Sequence, residues 1–544
     1  MRPVPAEFLP PSEHLAERIY ALPDVRYPHK LNLAEFLLDR NVAQRPKKPA
    51  LLYRDQRITY AELRARVNQL ANALRSLGVG AGDRVMLRAP NTPTYIVANF
   101  ACWRIGAIPV LVNHLLRAEE VAFRANDSAA KVAIVAAEVY EDVRKARPDF
   151  ETVEQVIVFG DRVEGCLSYE SLVAGQSVEA ETAPTTGADF GRLIYTSGTT
   201  GRSKGVIGSI SDLLAATDTH GRYSLQLRES DVIGGHPYFT FAFGSVNFTL
   251  HAWRFGTTVS IIDRFYPEVM LQTVQDHRIS VLCCVPTAFR MMLGVAGADQ
   301  RFDTSSLRLC QSAGEWLPGA TYHEWKERFG VDILDSLGSG ELNYWLTTAP
   351  GIARDKVGST GRPVHGIEAK IVDENGSEVP RGTEGELIIR GPFRQVYWRR
   401  PEVQAKATCN GWNRTGLLYL EDQDGYFWYK SRLDDMIVTS GHKVPGGEVE
   451  AAINEHPAVM ESAAVPTPDE QRGNVVKCFV VLKEPYRPST ELIAELQQFV
   501  KDRIEPYKYP RVIEFAKADE LPRTSTGKIQ RSVLAQMERD GCPR

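Results

Sequence analysis

Between Thr59 and Gly78 apolar residues recur every three or four positions, and Leu63, Val67, Leu70, Ala71, Leu74 and Leu77 share one face of a helical period. Thr59 with Glu62 three residues on makes a capping box, and Gly78 stops the run, so the pattern predicts an amphipathic helix. Short apolar runs then alternate with helical patterns, in "RVMLRAP", "KVAIVAA", "QVIVFG", "TTVSII" and "ISVLCCVP". Strands that alternate with helices predict α/β layers with largely parallel sheets. From about Glu368 the texture changes to "AKIVDENGSEVPRGTEGELIIRGP", alternating residues broken at Asn375-Gly376 and Arg381-Gly382, which predicts hairpins in an antiparallel, barrel-like subdomain. After "YKSRLDDMIVTSGHKV" come helical patterns ("GGEVEAAINEH", "STELIAELQQFVKDRI") and short strands ("SAAVPT", "KCFVVLK"). A boundary near Arg432 to Asp435 therefore divides a large N-terminal domain of layered α/β subdomains plus the barrel-like one, 1–433, from a small α+β domain, 434–544.

The longest apolar stretch, Tyr95 to Leu116, carries Arg104, Gly106 and Pro109, which suits a buried helix running into a short strand better than a bilayer span. The N-terminus has prolines and acids where a signal peptide needs an apolar run. At 544 residues the chain calls for several domains. With 64 basic against 68 acidic residues, its charge offers no nucleic-acid surface, and a small partner fits better. The eight cysteines form no C-x-x-C pair and read as buried thiols of a cytoplasmic protein. "GVGAGD" at Gly78 to Asp83 follows a helix and not a strand, so it reads as a turn and not a dinucleotide loop.

The stretch "YTSGTTGRSKG", Tyr195 to Gly205, directly follows the apolar run "RLIY". A Gly/Ser/Thr run can be a flexible linker. This one is short, follows a strand and ends in a lysine, a composition that suits backbone N–H groups and hydroxyls wrapped around phosphate oxygens with a cation to neutralise them. The Walker pattern G-x-x-x-x-G-K-[ST] does not fit it.

These residues resemble the phosphate-loop signature of the acyl-adenylate-forming superfamily of acyl-CoA synthetases, adenylation domains and luciferases. The resemblance recurs in order at "SAGEWLP" (Ser312 to Pro318), "DSLGSGE" (Asp335 to Glu341), "GRPVHG" (Gly361 to Gly366), "GWNRTG" (Gly411 to Gly416), "YKSRLDDMI" (Tyr429 to Ile437) and "LPRTSTGKIQR" (Leu521 to Arg531). The opening "KLNLAEFLLDR" (Lys30 to Arg40), "SAGE" and "SGHKVPGGEVE" are similar to the benzoate and 2-aminobenzoate CoA ligase branch. That likeness implies ATP, Mg²⁺ and coenzyme A as cofactors and a small aromatic carboxylic acid as substrate.

It further implies that Thr196, Ser197, Gly198, Thr199, Thr200, Gly201 and Lys204 hold the β- and γ-phosphates, and that Glu341, with Thr196, binds the metal. Lys528 would bridge the carboxylate and the α-phosphate, Arg432 would contact the nucleotide, and Ala313, Gly314, Glu315, Leu337, Gly338 and Leu417 would fall around the adenylate. Asp434 matches the family's hinge, around which the small mobile domain presents either Lys528 or the loop Ser440, Gly441 and His442, which lines the pantetheine tunnel. The acyl pocket would be walled by His236, Tyr238, Phe239, Phe243, Gly244, Ala313, Gly338 and Tyr344, a flat apolar slot that favours an aryl acid, although such aromatics also build cores. Singly, each charged residue would read as a solvated surface group; their joint order makes the site.

Three departures stand out. Leu417 occupies the place of an expected ribose-binding aspartate, with Asp422 and Asp424 the nearest substitutes in sequence; Gly340 replaces a threonine before Glu341; and Ile210 stands where a histidine often follows the phosphate loop. Three functions stay open: an aryl-CoA ligase, an aryl-adenylating enzyme that loads a carrier protein, and an adenylate-binding relic without turnover. The acid itself, among benzoate, amino- and hydroxybenzoates and substituted naphthoates, is not specified by these residues.

Overall fold

The computed structural model describes residues 4–196, 203–341, 343–439, 442–469, 472–523 and 529–540, with the backbone alone for Asp434 and Lys443. By its internal contacts the chain divides into two compact units, one of residues 1–196, 203–369 and 388–414, the other of 197–202, 370–387 and 415–544.

Two sheets organise the first unit. The seven-stranded sheet runs Leu167–Ser168, Gln155–Phe159, Ala130–Ala136, Arg84–Arg88, Ile108–Leu111, Phe190–Thr196 and Lys204–Ser209. It is parallel up to Phe190–Thr196, whose last neighbour Lys204–Ser209 is antiparallel. Strands buried on both faces read as unbroken apolar runs, which is why "KVAIVAA" and "QVIVFG" were legible as strands. The nine-stranded sheet has a parallel centre of Ile333–Ser339, Leu309–Ala313, Val281–Cys284, Val232–Gly235, Thr258–Ile261 and Pro49–Tyr53, with antiparallel strands at both edges. Its strands Leu309–Ala313, Ile333–Ser339 and Asn343–Thr347 carry much of the site described below.

The helices between these strands follow their local signals. Tyr60–Ser76 begins in a reciprocal cap, with the Thr59 hydroxyl accepting from Glu62 N–H and the Glu62 carboxylate accepting from Thr59 N–H at 2.7 Å. The Tyr95 to Leu116 stretch is the helix Pro93–Arg104 followed by the strand Ile108–Leu111, joined through Gly106 at φ +74. Its Arg104 is buried against Asp39 at 2.5 and 2.6 Å, so a charge inside an apolar run is accounted for by pairing. Among the described residues no helix is long and apolar enough to cross a membrane.

In the second unit residues 417–421 of the strand Trp412–Glu421 fold back on Phe427–Arg432, and Asp373 closes a tight turn around Asn375-Gly376. Met436–Thr439 pairs with His442–Pro445, while Val459–Asp469, Gly473–Leu482 and Val512–Phe515 form a three-stranded sheet. The expected strand "SAAVPT" is thus the middle of a longer strand, and "KCFVVLK" is the C-terminal part of another and runs one residue past its end. Helices Gly446–Asn454 and Thr490–Lys501 enclose a core of Ile437, Val449, Ile453, Cys478, Leu496 and Val500.

Glu450 in this unit is buried and accepts from Arg531 Nε at 2.6 Å and from the Ala464 N–H at 2.7 Å. Removing the cation strands a buried carboxylate, which costs about 3 kcal/mol. Arg531→Met should therefore lower the unfolding free energy obtained from a urea titration by about that amount, and Glu450→Gln added to it should recover most of the loss.

Candidate active site

The phosphate-loop candidates hang on one hairpin. Thr196 ends the strand Phe190–Thr196, Lys204 starts Lys204–Ser209, and the two residues are direct cross-strand partners. The ends of the intervening segment are therefore held together, while Ser197, Gly198, Thr199, Thr200 and Gly201 lie outside the described residues. Beside the second end, Arg124 donates to Ser203 Oγ at 2.8 Å and lies over the Tyr195 ring, whose hydroxyl donates to Asp127 at 2.8 Å.

Glu341 sits in the turn between Ile333–Ser339 and Asn343–Thr347, with its N–H donating to Ser339 Oγ at 3.2 Å. The Tyr397 hydroxyl is 3.4 Å from Glu341 Oε1. A Cβ added at Gly340 would lie 2.6 Å from Thr196 Cγ2. The Thr196 methyl thus fills the place of a side chain at 340, and this contact joins the phosphate-loop strand to the glutamate turn.

A residue that the sequence reading passed over reinforces the junction. Arg192, on the same strand as Thr196, is buried and donates to Gly340 O and Asn343 Oδ1 at 3.3 Å and to Ser245 Oγ at 3.4 Å. Burial pulls its pKa down to about 10, and the negative charge of Glu341 opposes that pull. Its signal was an arginine inside the apolar run "GRLIY".

The aromatic segment after Val232–Gly235 divides between core and wall. Phe239 is core: it packs on Tyr95 and Phe248, and its N–H donates to Asn91. His236 lies against Phe265, with burial pushing its pKa down to about 4 so that the ring is neutral. Tyr238 is half-buried edge-on to His114, and Phe243 is half-buried in the first turn of a short helix. Gly244 is required there, because a Cβ would lie 2.2 Å from Tyr238 O. Tyr344 is buried, its ring stacked at 4.0 Å on His220.

Ala313 ends the strand Leu309–Ala313 and Gly314 turns away at φ +86, while Glu315 accepts from Thr287 Oγ1 at 2.8 Å. Leu337 and Gly338 are half-buried, and a Cβ at Gly338 would lie 2.0 Å from Asn343 O, so the glutamate turn needs a glycine there.

In the second unit Leu417 and Arg432 are direct antiparallel partners. Asp422 is occupied, accepting from the N–H groups of Asp424 and Tyr426 and from Trp428 Nε1 at 3.0 Å. Asp434 lies in the single turn Leu433–Asp435 between two strands. Thr439 pairs with His442 across Ser440 and Gly441, which lie outside the described residues, and the His442 ring rests on Tyr507 at 4.7 Å. Lys528 also lies outside them; the flanking residues Arg523 and Ile529 pair as an antiparallel bridge.

No group of three or more possible metal ligands occurs among the described residues. A lone carboxylate, Glu341, beside Thr196 fits Mg²⁺, which keeps waters and takes its remaining ligands from phosphates.

Two sheets brought together where Thr196 of one meets the Gly340 turn of the other, in a chain that carries the ordered adenylate-forming motifs, define an adenylate-forming enzyme. The chain belongs to the AMP-binding enzyme family, which matches residues 38–397, and residues 448–528 match that family's C-terminal domain. It is 36% identical over 518 residues to the benzoate–CoA ligase of Thauera aromatica, with 94% of this chain and 97% of that protein covered. Its fold is similar to that of the anthranilate CoA ligase AuaEII in complex with anthranoyl-AMP (TM-score 0.89, 33% identity, 96% and 99% covered). It is also similar to a benzoate CoA ligase from Burkholderia xenovorans LB400 (TM-score 0.84, 32% identity, 93% and 100% covered).

Asp335, in the "DSLGSGE" strand, is buried, and burial pushes its carboxyl up to about 8 against the pull of the Leu317 and Ser336 N–H groups. An unfolded aspartate ionises near about 3.9. From there to about 8 the unfolded chain has lost a proton that the folded chain keeps, so this group's contribution to stability falls as pH rises. Asp335→Asn should raise the melting temperature at pH 8 and leave it nearly unchanged at pH 4. An equal shift at both, by scanning calorimetry, would contradict the assignment.

Proposed function

We propose that the chain is an AMP-forming aryl-carboxylate CoA ligase. The observation that carries this reading is the Thr196–Gly340 contact, which brings the phosphate-loop hairpin and the Glu341 turn into one place. The benzoate and anthranilate ligases to which the chain is similar supply the substrate class.

In the first half-reaction the aryl carboxylate oxygen attacks the α-phosphorus of ATP, the α–β bridging bond breaks and pyrophosphate leaves. Both partners are anions, so catalysis is chiefly charge neutralisation and alignment. Thr196, Ser197, Gly198, Thr199, Thr200 and Gly201 would offer hydroxyls and N–H groups to the β- and γ-phosphates, and Lys204 a cation. Mg²⁺, held by Glu341 with Thr196 nearby, would neutralise phosphate oxygens. Lys528 would bridge carboxylate and α-phosphate, with Arg432 and Leu417 at the ribose side and Gly314, Glu315, Leu337 and Gly338 around the adenylate. In the second half-reaction the deprotonated thiol of coenzyme A attacks the acyl carbon and AMP leaves with its electron pair. Asp434 would be the pivot that exchanges Lys528 for Ser440, Gly441 and His442. His236, Tyr238, Phe243, Gly244, Ala313 and Tyr344 form the acyl wall, with Phe239 supporting it from the core. The free cysteines fit a reducing cytoplasm.

The test is pyrophosphate release across a panel of aryl acids, with and without coenzyme A. Turnover to AMP that requires coenzyme A is expected. Adenylation without that dependence would point to carrier loading, and no release with any acid would point to a relic.

Lys528→Ala should slow adenylation by several orders of magnitude while leaving thioester formation from supplied acyl-adenylate largely intact. Equal loss in both steps, resolved by stopped flow, would remove Lys528 from its assigned role.

Leu417→Asp tests the ribose side. A carboxylate at this position, opposite Arg432, should lower the apparent KM for ATP about tenfold, the gain of a charge-assisted hydrogen bond, with little change for the acid. A higher KM for ATP would mean that position 417 faces apolar packing.

A further inference from the structure

The hairpin that carries Thr196 and Lys204 is gripped from its other face by a single helix, Ala118–Ser128. Successive residues of a strand point to opposite faces. Tyr195 therefore faces away from Thr196, and Arg124 lies on the Tyr195 side, its guanidinium 5.4 Å from the centre of that ring. Three residues on in the helix, Asp127 accepts from the Tyr195 hydroxyl at 2.8 Å and from Arg400 Nη2 at 2.7 Å, and its carbonyl accepts from Trp398 Nε1 at 2.8 Å. Trp398 in turn donates its N–H to Gly205 O at 2.9 Å. Gly205 is the cross-strand partner of Tyr195, so both strands are anchored one residue away from the pair that would meet the phosphates.

Beyond that pair the ladder stops. Thr196 is the last residue of its strand and Lys204 the first of its own, and the Thr196 hydroxyl is 3.5 Å from Lys204 O. The glycine- and hydroxyl-rich sequence between them brings backbone freedom to this end and no apolar anchor. Ser203, directly before Lys204, is held from the helix: its Oγ accepts from Arg124 Nη2 at 2.8 Å. Arg124 is itself fixed. It is 6% exposed, and its Nη1 donates to the carboxylate and the carbonyl of Glu120 one turn back. A hydrogen bond from a charged donor is about twice as strong as a neutral one, so this contact is the firmest hold on the lysine end of the hairpin.

Resting on the assignment of Thr196 and Lys204 to the β- and γ-phosphates, we infer that Arg124, through Ser203 and Tyr195, is a positioning residue that sets where Lys204 stands at the end of its strand. It lies behind the hairpin and touches none of the reacting groups. The need for it comes from the chemistry. A cation neutralises developing charge cheaply only when it is already in place, and a misplacement of about 1 Å costs about 100-fold. The dependence is specific to the polyphosphate: acyl-adenylate and AMP carry no β- or γ-phosphate, so a step or a ligand without them does not draw on Arg124.

The experiment compares Arg124→Met, Ser203→Ala and the double variant with the wild type. It measures pyrophosphate release with whichever of benzoate, the aminobenzoates and the hydroxybenzoates the wild type uses best, thioester formation from supplied acyl-adenylate, and calorimetric binding of ATP and of AMP. In each single variant kcat/KM for ATP in adenylation, and ATP affinity with it, should fall about tenfold or more, while thioester formation and AMP affinity stay within about twofold. The double variant should be within about twofold of Arg124→Met, because both changes remove the same bond. Adenylation unchanged in either folded single variant, equal losses in the two half-reactions, or additive losses in the double variant would overturn the inference. Melting temperatures report folding; should Arg124→Met not fold, Ser203→Ala, which deletes one half-buried hydroxyl, decides by the same split. A wild type that binds ATP yet releases no pyrophosphate with any acid would bring down the ligase reading alone, and ATP against AMP binding in the variants then decides the inference. A wild type that binds no ATP would bring down both.

Discussion

The candidate site depends on how one buried arginine is compensated. Among the described residues Arg192 donates to three neutral acceptors, each at 3.3 to 3.4 Å, and to no carboxylate. An unpaired guanidinium in the interior is costly, and the negative charge that offsets this is Glu341, one residue beyond the carbonyl to which Arg192 donates. The arrangement is mutual. Glu341 offsets the arginine, and the arginine fixes the turn that aims Glu341. On the proposed reading that turn must also hold an anion beside a polyphosphate, which it could not do cheaply without a cation beneath it.

Much of the fold was legible because its signals are local. The capping box of Tyr60–Ser76, the helix-to-strand turn at Gly106 and the apolar parallel strands each depend on neighbouring residues. Sheet order was not legible: Pro49–Tyr53 sits beside Thr258–Ile261, and Ile108–Leu111 beside Phe190–Thr196, pairings between segments remote in sequence. The same limit applies to the site. Thr196, Lys204 and Glu341 are candidates offered by ordered motifs, whereas Arg192 acquires meaning only when strands distant in sequence meet.

The aromatic segment shows why composition alone could not separate core from wall. In "HPYFTFAFG" the rings look interchangeable, yet the chain turns so tightly that Gly244 closes onto the Tyr238 carbonyl. That turn sends Phe239 inward against Tyr95 and Phe248 and leaves Tyr238 and Phe243 half-buried. A neutral His236 beside them adds no charge, so this stretch supplies shape.

Leu417 is a departure that packing does not explain. At Gly340 the Thr196 methyl takes the missing side chain's place, but at 417 a leucine faces Arg432 directly across a hairpin, and Asp422 already serves a turn and Trp428. A ribose placed there would meet a cation and an apolar side chain and would lack a carboxylate acceptor. The consequence is confined by distance along the mechanism: the proposed groups that neutralise charge at the reacting phosphorus are Lys204, Glu341 and Lys528, and none of them is Leu417. Losing an acceptor at the ribose weakens the hold on ATP equally before and during reaction, which raises KM and leaves kcat largely alone. The departure therefore bears on how much ATP the site needs, and the surviving charges bear on whether it reacts.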